Sequence, residues 1–366
     1  MSRIKSLLFL LVLVAQVPLA SATVTYVVGT CKPNLPSKDT FTNINAALDA
    51  TPAPNVVEVC PGTYAEEIGI FKPVTLEGIS SGNLDQVVIT VPSGGLFIDG
   101  GDDLGDFVAA QVIVEDVAGE VKLSNLTIDA TGNNVTSPDT NIVGVFYQNS
   151  SGTVSHLSVQ NQNGNGGLGM GIWLEGGSAN PSVTVEDNNV QNFDDAGIYA
   201  ETNSSGSELT VTIKGNDLAA LVGTTSLPTG IYLKAGLTAS VTSNLITGGY
   251  EGVLIDGGKG SVSGNKAVSN GVGIDIETGG VSVTSNTIYT TGGGYDIGII
   301  INSAVAPVTG NNIVQAPIGI FLDCVAGTNV HSNTILNSTL GLYEVPSGAI
   351  GANSYYNVGT INAGGC

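Results

Sequence analysis

Aromatic rings and carboxylates recur in this 366-residue sequence at fixed offsets from a repeated glycine. Two residues after the Gly of a short Gly-apolar segment stand Phe146, Trp173, Tyr199, Tyr232, Leu254, Asp275, Ile300, Phe321 and Tyr343. That is six aromatics in a chain where only 5% of residues are aromatic. Two positions further come Gln148, Glu175, Glu201, Lys234, Asp256, Glu277, Asn302 and Asp323. Ring faces in a row are surfaces on which sugar rings can lie, so Phe146, Trp173, Tyr199 and Tyr232, with Glu175 and Glu201, are candidate substrate-binding residues. The same rings could instead brace neighbouring strands or lie beneath long loops. Carboxylates on neighbouring repeats of this row, broken by one Lys, set up repulsion that must be splayed into solvent, neutralised by Lys234 or bridged by Ca²⁺. Asp256 and Glu277, both away from Lys234, are the candidate metal pair. Lys234 is a candidate base, but Glu201 and Asp256 flank it and should hold its proton. Asp194 and Asp195 are candidate hydrolytic carboxylates. Adjacent strand residues face opposite sides, yet at a bend before Gly197 both could reach solvent.

Such rows require elements that stack in register. Gly-apolar segments (Gly144-Val, Gly171-Ile, Gly197-Ile and onward to Gly341-Leu) alternate with apolar-x-x-Asn-x-apolar segments centred on Asn188, Asn216, Asn244, Asn265, Asn286, Asn311 and Asn333. The spacing of 21 to 28 residues is too short for a propeller blade, and no amphipathic helix of useful length intervenes. A solenoid remains, each rung supplying about three short strands and stacking at about 4.8 Å. The residue after each Gly then points inward and the next one outward. The Asn residues form a structural ladder at a bend, where the side chain hydrogen-bonds along the axis and tolerates a left-handed backbone. His156 aligns with Asn125 and is read as a replacement in that ladder rather than as a base.

The segment Asp39–Ala50 places Phe41, Ile44, Ala47 and Leu48 on one helical face and is expected to cap the open end of the coil. Strands are expected at Val56–Val59, Glu67–Ile70 and Val74–Leu76, with a turn at Pro61-Gly62. Residues 120–345 carry the regular repeats, within a single domain over 23–366 that starts with a cap and first rungs at 23–80. A short polar cap is expected over 346–366. Four cysteines allow three disulfide connectivities. Pairing Cys31 with Cys60 and Cys324 with Cys366 would staple each end, and the absence of a CxxC argues against a metal site.

Residues 1–22, with Arg3 and Lys5, the apolar run Leu7–Ala15 and the small residues Ala20-Ser21-Ala22, read as a signal peptide. No later apolar stretch is long enough to span a membrane. The expectation is therefore a secreted or periplasmic protein. Beyond residue 22 the chain has eight Lys, no Arg and 31 acidic residues, which excludes nucleic acid as a partner. Only 11% of residues are charged and 42% are hydrophobic, so a disordered polyanion is excluded as well.

The cap Phe41-Thr-Asn-Ile-Asn-Ala-Ala-Leu48, the segment Val57-Glu-Val-Cys-Pro-Gly-Thr-Tyr-Ala-Glu-Glu67, Lys72-Pro-Val-Thr-Leu-Glu-Gly78 and the Gly and Asn repeats together resemble the pectin-lyase-like superfamily. The resemblance implies an all-β fold, a single-stranded right-handed parallel β-helix with a short N-terminal capping helix. It identifies a fold rather than an activity, since the superfamily hosts lyases, hydrolases, esterases, epimerases and adhesins. The arginine base of the main pectate lyases has no counterpart here. Pectin methylesterases are similar only at Gly62-Thr-Tyr64-Ala-Glu66, and Asp106 is an echo of their acidic motifs. Of the polygalacturonase motifs only Asp194-Asp195 is present, and the His and Met content is poor for a copper relative. The expectation is a non-catalytic exported protein with an elongated surface, binding polysaccharide or serving structurally at the cell envelope, with no cofactor unless Ca²⁺ is held. The alternative is a polysaccharide-degrading lyase or glycoside hydrolase.

Overall fold

The computed structural model describes residues 23–366 apart from 33, 80–85, 99–104, 106, 138, 165–167, 204–206, 222–226, 303–305, 326 and 365. The expected signal peptide and Asp106 lie outside the described residues. The chain winds as a coil whose strands pair in parallel with those of the rungs before and after. Three ladders result. The first contains Phe107–Glu115, Thr140–Gln148, Gly169–Gly176, Ala196–Thr202, Thr229–Leu233, Ile297–Ile301 and Ile318–Leu322. The second includes Ser151–Ser155, Ser182–Glu186, Leu209–Lys214 and Leu237–Thr242, and the third Ser158–Gln160, Asn189–Phe193, Asp217–Ala220 and Leu245–Thr247. Glu251–Ser263 and Val272–Thr284 run without a break from the first ladder into the second.

Alternation along each strand sends Val145, Ile172, Ile198, Ile231, Val253, Ile274, Ile299, Ile320 and Leu342 inward, where all are buried in one continuous apolar core. Each such side chain contributes about 1.5–3 kcal/mol, offset by the cost of ordering the chain. The repeated Gly has a steric reason rather than a dihedral one. A Cβ on Gly171 would stand 2.3 Å from a Val190 methyl and 2.5 Å from the Gly197 carbonyl oxygen, and Gly273 meets Ile288 and the Gly298 carbonyl in the same way. The first and third ladders can touch only where that Cβ is missing.

At the bend between the second and third ladders lies the asparagine ladder. The backbone N–H and Nδ2 of Asn188 both donate to Oδ1 of Asn216, at 3.0 and 2.9 Å, and Nδ2 also donates to the Val154 carbonyl. The pattern repeats through Asn244, Asn265, Asn286, Asn311 and Asn333 and continues to Asn353, one rung beyond the expected end. His156 is not in it. With φ 54° it occupies the left-handed residue just before the ladder, as Asn125 does at 57° and Asp187 at 55°. Leu157 fills the ladder position of that rung and donates its N–H to Asn188. The expected role of His156 is thus corrected by one residue.

The cap helix is shorter than expected, spanning Ile44–Leu48. Asn43 caps it by accepting from the Ala46 N–H, and the Glu66 carboxylate accepts from the N–H groups of Ile44 and Asn45. Thr40 and Phe41, a β-branched and an aromatic residue, form a short strand against Val27 and Val28 instead. Gly62 begins the strand Gly62–Ala65 rather than ending a turn. Residues 354–363, expected as part of a cap, form a strand paired along Thr334–Tyr343. The disulfides are Cys31–Cys60 and Cys324–Cys366.

Candidate functional site

The first ladder carries the expected outward row in register: Phe146, Trp173, Tyr199, Tyr232, Leu254, Asp275, Ile300, Phe321 and Tyr343 lie opposite one another on successive rungs. Phe146, Trp173 and Tyr199 nevertheless do not offer open ring faces. They are buried in a second apolar cluster, outside the coil's core, with Val108, Ala110, Val143, Met170 and Ala196. Their rings pack on each other at 5.0 and 5.4 Å between centroids. Pointing away from the core left them free to bury apolar area in an outer layer, which stabilises them there. The row comes out toward solvent at Tyr232, half-buried and edge-on to Tyr199 at 5.2 Å.

Glu175 and Glu201, expected at the surface, are buried beside that layer. Gln148 Nε2 donates to Glu175 at 3.4 Å. Lys234 Nζ donates to Glu201 at 3.2 Å and stands 5.3 Å from the Tyr199 ring centre and 6.0 Å from that of Tyr232. Burial, the charge of Glu201 and a hydrogen bond to Glu201 push the Tyr199 hydroxyl up. Desolvation also raises Tyr232, reinforced by Asp256, Glu277, Glu251 and Glu201, so the potential around its hydroxyl is negative.

Asp194 and Asp195 part company. Asp194 is buried and accepts from the backbone N–H groups of Gly169 and Gly164 at 2.7 and 3.1 Å, pinning the preceding loop. It does not reach solvent, so the expected pair of convergent carboxylates is corrected to one. Asp195 is half-buried, and desolvation with the charge of Asp194, opposed by Lys234, pushes its carboxyl up to about 6.

Beyond Tyr232 the face turns acidic. Asp275 is buried in the outward row between Leu254 and Ile300, and desolvation with Glu251 and Glu277 pushes it up to about 7. Glu251 accepts from the Thr229 hydroxyl at 3.3 Å and is itself raised by burial. Neither residue was singled out from sequence. The available signals were a lone carboxylate in a row of rings and aliphatics, and an acid at the pre-glycine position that is otherwise apolar or, at Thr229, a hydroxyl. The expected facing of Asp256 and Glu277 is displaced: Asp256 pairs with Thr278, because Glu277 is an extra residue between Ile276 and Thr278, and Gly257 and Gly258, both at positive φ, restore the register by Lys259. No group of three or more His, Cys, Asp or Glu among the described residues has metal-holding geometry. The loop 131–141 packs through Val135 on Leu96, Ala109 and Ile142.

The profile of a family described as a right-handed β-helix region matches residues 170–357, just over half of the sequence. The chain belongs to the right-handed β-helix family. Solved structures agree at the level of fold. The A-module of mannuronan C-5 epimerase AlgE4 from Azotobacter vinelandii is 16% identical, with a TM-score of 0.51 over 84% of this chain and 88% of that one. An alginate lyase from Paenibacillus sp. str. FPU-7 is 13% identical, with a TM-score of 0.44 over 87% and 95%. No curated protein matches by sequence. Among the described residues of this β-helix, no helix is long and apolar enough to cross a membrane. Its face from Tyr199 to Glu277 can stack a ring, hold a cation among carboxylates, and exchange a proton near neutrality.

Proposed function

We propose that this β-helix is an exported polysaccharide-binding protein whose contact surface is the outer face of the first ladder from Tyr199 to Glu277. The observation that carries the reading is the emergence of the ring row at Tyr232, beside Lys234 and the partly exposed carboxylates Glu251 and Asp256. A half-open ring flanked by hydrogen-bonding groups suits the apolar face and hydroxyls of a sugar. Residues 1–22 would direct export, in keeping with the two disulfides. The likeness in fold to an epimerase of mannuronan is consistent with a glycan ligand. Tyr232→Ala is expected to lose most retention on the polysaccharide that wild type binds, measured by affinity electrophoresis. Undiminished retention by a folded variant would reject this face.

A second reading, an enzyme acting on the same ligand, is favoured by one observation. Asp195 and Asp275 carry carboxyls pushed up to about 6 and about 7, suited to giving or taking a proton near neutral pH. It requires release of reducing ends or unsaturated products that Asp195→Asn or Asp275→Asn abolishes.

A further inference from the structure

Resting on the reading of this face as glycan-binding, we propose that it selects a cationic glycan, a polymer of amino sugars, over neutral and uronate polymers. Two features of the face point the same way. Among the described residues its charged side chains are Asp195, Glu201, Glu251, Asp256, Asp275 and Glu277 against the single cation Lys234, and that cation is already engaged by Glu201 at 3.2 Å. A polymer with a carboxylate on each ring would meet like charge on successive rungs about 4.8 Å apart and find no cation left to pair with. The face also already accommodates an ammonium. Lys234 Nζ lies among the Glu201 carboxylate and the rings of Tyr199 and Tyr232, an arrangement that attracts a cation through both charge and ring quadrupole. An ammonium on a sugar would find two further carboxylates, Glu251 and Asp256, on the next rung beside the same Tyr232 ring.

The test compares three oligomers of equal length by calorimetry with the full chain: glucosamine with its amines protonated, N-acetylglucosamine with the same backbone and no charge, and mannuronate. Glucosamine oligomer is expected to bind roughly tenfold or more tightly than its acetylated form, and to weaken steeply in about 0.5 M salt. The double variant Asp256→Asn, Glu277→Gln is expected to erase that difference. Glu120→Gln with Asp187→Asn, exposed acids elsewhere on the coil, is expected to leave it intact. Equal loss from both double variants would mean attraction by net charge alone and would overturn the proposal. So would equal affinity for the acetylated oligomer, or tightest binding of mannuronate, while leaving glycan binding at this face standing. Failure of all three oligomers and of a broad glycan panel would sink the underlying reading instead.

Discussion

Asp275 is a carboxylate in a row built for rings and aliphatics, and the fold pays for it. Desolvation, with Glu251 and Glu277 nearby, moves its carboxyl from an ordinary 3.8 up to about 7. The folded chain therefore holds this proton more tightly than the unfolded chain does. Stability falls as pH rises between those two values, and the penalty is complete above the folded one. Asp275→Asn is expected to stabilise the protein by about 1–2 kcal/mol at about pH 8, discounted for residual solvent contact, and by nothing near pH 4. Denaturant midpoints at the two pH values decide it, and an equal gain at both would refute the charge origin. At this scale the sequence was legible to the row but not beyond it. A two-residue offset from Gly placed Phe146, Trp173 and Tyr199 opposite one another, because strand alternation is strict. It could not tell that Val108, Val143 and Met170 close over them, since outward direction says nothing about what lies outside. Asp256 and Glu277 do not face each other because Glu277 is a bulged residue, compensated across Gly257 and Gly258, and such a register shift carries no sequence pattern of its own.

Among elements, the asparagine ladder ties each rung to the next at the bend between the second and third ladders. Asn265 accepts from the N–H and Nδ2 of Asn244 and donates to Asn286 and to the Val241 carbonyl, with 2% of its surface exposed. Asn265→Ala would leave Asn244 with buried, unpaired donors. The expected loss is roughly 2–4 kcal/mol in urea unfolding, and a loss below about 0.5 kcal/mol, within the range of an ordinary surface change, would show the ladder to be ornamental. The repeat spacing exposed this ladder almost completely, missing only Asn353, although Ile350-Gly-Ala-Asn353-Ser-Tyr355 carries the same apolar-x-x-Asn-x-apolar signature, because a polar cap is expected over that stretch. The cap helix was overextended because Phe41 fits both a helical face and a strand. Pairing with Val28 and the Asn43 cap decide between them.

For the whole molecule, contacts run from rung to neighbouring rung, so damage should stay local. The Cys324–Cys366 bridge closes a 42-residue separation and ties the final strand to an earlier rung. Cys324→Ser with Cys366→Ser is expected to speed amide exchange in Ser354–Ala363 and the adjoining part of Thr334–Tyr343, at a cost of at most about 4 kcal/mol. Strands from Gly169 to Leu233 should keep their protection, and a uniform increase along the coil would contradict local unfolding. The glycine contact between the first and third ladders has a wider implication. Because a Cβ cannot fit there, the cross-section of the coil is fixed, and extra residues can enter only at the corners. That is how ladder asparagines 20 to 28 residues apart in sequence stay one rung apart in space. The molecule is thus a ruler graduated in rungs: duplicating or deleting one whole turn would move everything beyond it by a single graduation and leave both halves otherwise unchanged.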